Sequence, residues 1–268
     1  SSLVGSEMCI RDSAYRIKAN NREYYSSGIQ AVFNVLAGDH DIQAGLRIHS
    51  DEMDRFQWED RYGMQSGQLV MTTQATKGSD SNRIDSAEAT ALFVEDRFTT
   101  GAMTITAGAR YEEITVKRDD WGKTDPDRSE TPSKREHTID VVVPGIGVEY
   151  AINEFQTVSV GIHKGFAPPG PGTSGVTDKA VDPETSMNTE IGFKSNKGLN
   201  SLEFTLFMNS YDNLLGADTA ASGGGSDELF NGGAVDISGF ELYLRRILVD
   251  NGRIQMPLEL AWTNTNSE

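Results

Sequence analysis

The residues best suited to contact a ligand cluster at Arg55-Phe56-Gln57-Trp58-Glu59-Asp60-Arg61-Tyr62. Guanidinium forks suit carboxylate or catecholate oxygens, and aromatic faces suit rings. Arg55, Trp58, Arg61 and Tyr62 are therefore candidate contacts on what reads as a polar outer loop. Arg110 and Lys164 join them as cations expected on the polar side of strands, where pairing with a neighbouring acid is the plainer alternative. Other chemistries find no support. His40, His49, His137 and His163 show no metalloprotease spacing and no cysteine neighbours, so no metal site is expected. Gly170-Pro171-Gly172-Thr173-Ser174-Gly175 matches G-x-G-x-x-G, but prolines precede it and no helix follows for a phosphate to sit on. There is no G-x-S-x-G elbow, and Glu112-Glu113 and Asp119-Asp120 read as solvated charge. The chain is expected to bind, without catalysis and without a cofactor.

Composition narrows the partners. The formal charge is −16 and no basic stripe offsets it, which argues against nucleic acid. No run of about 18 apolar residues is present, so no helix is expected to span a membrane; strands that alternate keep a modest mean hydropathy and are not excluded. Cys9 is the single cysteine, so no internal disulfide is possible. It lies in Ser1 to Ser13, SSLVGSEMCIRDS, a stretch that resembles translated sequencing-adapter read-through. We read residues 1–13 as a non-native addition and set them apart from 14–268, a length that suits one or two domains or one large all-β unit.

Alternation then organises the chain. Ile29, Ala31, Phe33 and Val35 oppose Gln30 and Asn34; after Gly38-Asp39, Ile42, Ala44, Leu46 and Ile48 oppose Gln43, Gly45, Arg47 and His49. Period two gives each strand an apolar and a polar face. The pattern recurs through Met103 to Tyr111, Val158 to Ile162, Leu202 to Met208 and Ile254 to Trp262. Ala91 to Val94 is ambiguous, with apolar residues on both faces. Pro144 inside a strand predicts a bulge or break in its ladder. Asn251-Gly252 predicts a tight hairpin with positive φ at both positions. Asp119 to His137 reads as a solvated, mobile loop, with further long loops at Ala167 to Pro183 and Leu214 to Gly233. About ten strands alternate tight turns with long loops.

Such a pattern fits a soluble sandwich or a membrane barrel. Strand length of about ten or more, against a usual mode of about five or six, favours the barrel. So do the alternating loop lengths and aromatics near strand ends, such as Tyr111, Tyr150, Phe155, Phe166 and Trp262. The expected fold class is all-β, an antiparallel up-and-down transmembrane β-barrel.

Several segments in order carry a family resemblance: Ala91-Leu92-Phe93-Val94-Glu95-Asp96, Gly108-Ala109-Arg110-Tyr111-Glu112, Val143-Pro144-Gly145 with Gly147-Val148-Glu149-Tyr150, Lys164-Gly165-Phe166-Ala167-Pro168-Pro169, Gly192-Phe193-Lys194, and Asn231-Gly232-Gly233 leading to Gly239-Phe240-Glu241. Over Asn21 to Glu268 the chain resembles the barrel of TonB-dependent outer-membrane receptors of the ferric-siderophore and ferric-citrate type. The resemblance implies an incomplete arc of a 22-stranded barrel, with the plug, the TonB box and the closing strands outside this sequence. It also implies uptake of a ferric siderophore or similar metal chelate across a Gram-negative outer membrane. Outer-membrane lipid would surround the wall, and the TonB–ExbB–ExbD complex would act through the plug. A passive porin or barrel adhesin is the alternative, and a soluble β-sandwich a further one.

Overall fold

The computed structural model describes residues 15–168, 183–213, 215–217, 229–231 and 233–268; the stretch read as an addition, Cys9, and the glycine motif at 170–175 lie outside the described residues. All regular structure among them is strand. In chain order these are β1 (Tyr15–Ala19), β2 (Arg22–Ala37), β3 (His40–Gln65), β4 (Gln68–Thr73), β5 (Ser81–Thr100), β6 (Met103–Asp120), β7 (Ser133–Asn153), β8 (Gln156–Ala167), β9 (Glu184–Lys197), β10 (Asn200–Asp212), β11 (Leu215–Ala217), β12 (Leu229–Asn231), β13 (Val235–Asp250) and β14 (Gln255–Ser267). β11 and β12 form a separate two-stranded ribbon. The rest form one antiparallel sheet that runs in chain order from β5 to β10 and on through β13 to β14, with β3 beside β5. β1 and β2 lie on the same edge of β3 in one register, and β4 and β5 lie on its other edge. The sheet is thus an open arc of ten staves, ending on β1–β2 and β14.

One rim carries only tight turns. They join β2 to β3, β5 to β6, β7 to β8, β9 to β10 and β13 to β14. Gly38, Gly101 and Gly198 take positive φ there (63°, 58° and 61°), conformations that cost glycine little. The last turn differs from the Asn-Gly expectation. Asp250 pairs with Gln255, so four residues form the loop. Only Gly252 has positive φ (79°), while the Asn251 side-chain oxygen accepts from the N–H groups of Arg253 and Ile254 at 3.0 and 2.8 Å. Asparagine serves here as a side-chain acceptor that mimics a backbone turn.

The other rim carries the long excursions, and strands reach further into it than expected. The stretch Arg55 to Tyr62 is not loop but the continuation of β3. Likewise β6 runs to Asp120 and β7 begins at Ser133, leaving only residues 121–132 outside the ladder. These segments lack apolar alternation because both their faces lie beyond the apolar band. Polarity therefore does not mark them as loop.

Register resolves the faces. Ala31, Leu46, Leu92, Tyr111 and Val142 align across β2, β3, β5, β6 and β7. Val158, Phe193, Phe204, Leu242 and Trp262 align across β8 to β14. This apolar face is uncovered: Ile29, Phe33, Leu92 and Trp262 are 73, 69, 52 and 58% exposed. A sandwich would bury this face, and among the described residues no second sheet covers it. The ambiguous segment of β5 also resolves. Leu92 and Val94 lie on the apolar face, and Ala91 and Phe93 on the polar one. The buried apolar side chains lie on the polar face, where Ala89, Ala91, Ile114, Val116, Ile139 and Val141 are covered.

Pro144 marks a divergence of neighbouring strands. The β6–β7 register passes through it unbroken, but the β7–β8 ladder ends at Gly145↔His163. Proline has no N–H to offer the β8 side, so pairing stops there. β8 stays with β9 up to Ala167↔Glu184 and leaves β7. Its Phe166, expected near a strand end in an aromatic girdle, packs instead against Ala89, Ile114 and Val116.

Candidate functional site

The polar face is built from cross-strand ion pairs. Arg97 meets Glu149 at 3.7 Å, Lys194 meets Glu203 at 2.8 Å and Arg245 meets Glu259 at 3.5 Å, while within β6 Arg110 is bonded to Glu112. Exposed pairs of this kind stabilise little. Their consequence is a face that water can wet and that carries both charges.

Arg110 sits in a layered arrangement. The Phe93 ring packs on Gly45, where a methyl group would collide with it. The Arg110 guanidinium lies over that ring, 5.8 Å from its centroid. A depression of about 570 Å³ opens beside it, with Gly108, Gly145, Gly147 and Gly161 in its lining. Lys164 lines the same depression. By register Lys164 belongs with Met187 and Ile162, on the side of the apolar residues and not on the polar side expected for it. Counting in twos from Val158 gives the same answer. The departure of β8 from β7 is what brings Lys164 and Arg110 to one depression.

The other four candidates are not brought together. Arg55 and Arg61 occupy odd positions of β3 and Trp58 and Tyr62 even ones, so arginines and aromatics point to opposite faces. Trp58 faces Lys77, whose ammonium lies 5.6 Å from its ring centre. Tyr62 pairs in register with Tyr15 on one side and Met71 on the other. The eight-residue run is dense in sequence only because a strand interleaves its two faces.

Two networks at the loop rim escape a sequence reading. On the polar face Asp85, almost wholly buried, accepts from Nε of Arg83 at 3.1 Å and from Nε of Arg118 at 2.6 Å. Beside it the fully buried Gln57 accepts from Nε of Arg55 at 2.9 Å and donates to the Asn20 side chain. Burial, then the nearby charges of Arg83 and Arg22, push the Arg55 guanidinium down from its usual range. On the opposite face Arg128, at φ 53°, closes the 121–132 loop onto β3 and β5. It donates to both Asp54 oxygens at 2.8 and 2.6 Å and to the Asn82 side-chain oxygen at 2.7 Å. Its guanidinium lies 4.8 Å from the Trp121 ring centre and 5.3 Å from that of Phe56. The bond to Asp54 holds Arg128 above its ordinary range. Asp125 accepts from the N–H groups of Glu130 and Ser129, which hold its carboxyl below the ordinary range. The loop read as mobile is latched. Its partners lie up to 74 positions away, at Asp54, so no local signal announces them.

Among the described residues no group of three or more His, Cys, Asp or Glu side chains is placed to hold a metal ion.

A family model described as TonB dependent receptor-like, beta-barrel, matches residues 7–267. No curated protein matches the sequence. Among solved structures, the chain is similar to the unliganded ferric citrate transporter FecA, at 20% identity and a TM-score of 0.73, over 94% of this chain and 37% of that one. It is similar to the ferric yersiniabactin uptake receptor FyuA from Yersinia pestis, at 16% identity and 0.70, over 96 and 37%. It is also similar to the siderophore receptor PiuA from Acinetobacter baumannii, at 16% identity and 0.67, over 94 and 39%. The chain spans between a third and two fifths of the length of each.

Proposed function

Because the chain belongs to the TonB-dependent receptor-like β-barrel family, we propose that it forms part of the wall of an outer-membrane receptor that imports a ferric siderophore or similar iron chelate. The carrying observation is the two-faced sheet. Its apolar face lies open and so suits lipid, and its polar face bears ion pairs and so suits a wet lumen. Tight turns on one rim and long excursions on the other match a wall whose loops meet ligand outside the cell. FecA is a ferric citrate transporter, FyuA a ferric yersiniabactin uptake receptor and PiuA a siderophore receptor, which supports an iron chelate as cargo. The wall does no chemistry on it. Energy would arrive from TonB, ExbB and ExbD through a plug seated in the lumen, in the outer membrane of a Gram-negative bacterium.

The test is uptake of radioactive iron by cells deleted for the gene and complemented with it, offered a panel of chelates under iron starvation. Complementation is expected to restore uptake of one chelate class, and collapse of the proton-motive force to abolish it. Uptake that persists without the proton-motive force would mark a passive porin and sink the proposal.

A further inference from the structure

A row of arginines crosses the polar face at the loop rim. Arg22 of β2 pairs in register with Arg55 of β3, and Arg55 with Arg83 of β5. Side chains directly opposite one another in an antiparallel pair lie about 5 Å apart at Cβ, and like charges so placed repel. The chain has 40 acids against 24 Lys and Arg, yet among the described residues neither Arg22 nor Arg55 has a carboxylate within salt-bridge reach. Asp85 is engaged by Arg83 and Arg118 together. Asp120, in register with Arg83, accepts instead from the Gly122 N–H at 2.8 Å.

The way the arginines are held is as informative as their number. Arg55 and Arg83 are each anchored through Nε, one by Gln57 and one by Asp85. That leaves their terminal nitrogens without partners among the described residues, and these supply the outer tines of the fork that grips an oxyanion. Their anchors, Gln57 and Asp85, are buried, so the forks are set before any ligand arrives.

We propose that the Arg22–Arg55–Arg83 row is an oxyanion-binding site, and that the cargo it takes is an iron chelate rich in carboxylate or phosphate oxygens. The cargo identity rests on the proposed uptake function; the anion site does not. An anion between the forks relieves the repulsion that the row otherwise imposes, so binding and wall stability are linked.

The experiment uses the full-length receptor in detergent. Calorimetric titration is carried out with inorganic pyrophosphate and with iron(III) citrate, and with an uncharged iron trihydroxamate as comparison. Wild type is expected to bind both anions, with affinity falling as salt rises, and to discriminate against the trihydroxamate. Arg55→Gln and Arg83→Gln are expected to weaken both anions at least tenfold each and to flatten the salt dependence. Arg55→Lys, which keeps charge but loses the fork, is expected not to restore them, and Arg97→Gln to leave them unchanged. The site is overturned if wild type binds neither anion, or if the row variants bind both as wild type does. It is overturned too if the row variants lose thermal stability with binding unchanged, because the row would then be neutralised by an acidic segment of its own chain. Pyrophosphate binding lost in Arg55→Gln by a receptor that imports no iron chelate would sustain the site while removing the uptake function. Preference for the trihydroxamate would remove the oxyanion-rich cargo.

Discussion

At the scale of single residues, Arg128 and Asp125 govern one loop. Arg128→Met removes a bidentate pair with Asp54 and a bond to buried Asn82, and hydrogen bonds to charged groups contribute about 1.5–3 kcal/mol each. Hydrogen exchange across residues 121–132 should accelerate by at least the equivalent of one such bond, with Arg128→Lys rescuing little because it cannot form the fork. Asp125 gives that loop an acid dependence. Its folded pKa is depressed, so its contribution is present above the unfolded value near 3.8 and lost as pH falls through the lower folded value. The amides of Ser129 and Glu130 should hold their protection at neutral pH and lose it in strong acid. Asp125→Asn should remove most of that dependence, and unchanged acid sensitivity in the variant would count against the assignment. None of this was legible in sequence. Arg128, Asp54 and Asn82 are ordinary residues until β3 and β5 are placed side by side. The Arg55 to Tyr62 run is a cluster in sequence and not in the fold for the opposite reason, since adjacency in a strand separates residues onto opposite faces.

At the scale of the strand, face decides the effect of a substitution. Leu206 and Thr205 are neighbours on β10; the first lies on the apolar face, and the second lines the polar face with Glu149 and Glu190. Arginine on a lipid face near the midplane costs about 2–4 kcal/mol. Leu206→Arg should lower the denaturant midpoint in lipid vesicles accordingly, and Thr205→Arg should change it by less than about 1 kcal/mol, being beside acids and water. Equal effects would contradict the two-faced wall. Gly239 is a second strand-level constraint. A methyl group there would meet the Asn264 carbonyl oxygen and the Phe207 ring, so Gly239→Ala should weaken the β13–β14 pairing, seen as faster exchange along β14. Strands were the best-read part of the sequence, because period two survives wherever one face meets an apolar medium. The upper parts of β3, β6 and β7 were missed because no apolar medium reaches them. The ladder break at Pro144 is legible in the sequence, but the layering that follows is not, because it depends on where β8 goes once freed.

At the scale of the whole molecule, the sheet is an arc whose two outer strands lack partners among the described residues. Unpaired edges of this length template further pairing. The 268-residue chain refolded alone in detergent should therefore form oligomers through β2 and β14; light scattering that reports a monomer would oppose this. The alternation of short and long connections, legible from the sequence, is what assigns the two rims. The number of staves in the closed wall was not legible from these residues, because each strand's pattern records its two faces and nothing of how many neighbours complete the ring.

The near-sequential strand order has a kinetic meaning as well. Every pairing in the main sheet joins strands that follow one another closely along the chain, so no contact waits for a distant part of the sequence to arrive. Loop-closure entropy grows only slowly with length and is smallest at the tight turns. Five hairpins can therefore zip early and independently, each nucleated at its own turn, and dock across the longer excursions afterwards. Of these five hairpins β7–β8 has the shortest ladder, cut off at Gly145, so it has the fewest rungs to hold it closed while the others zip.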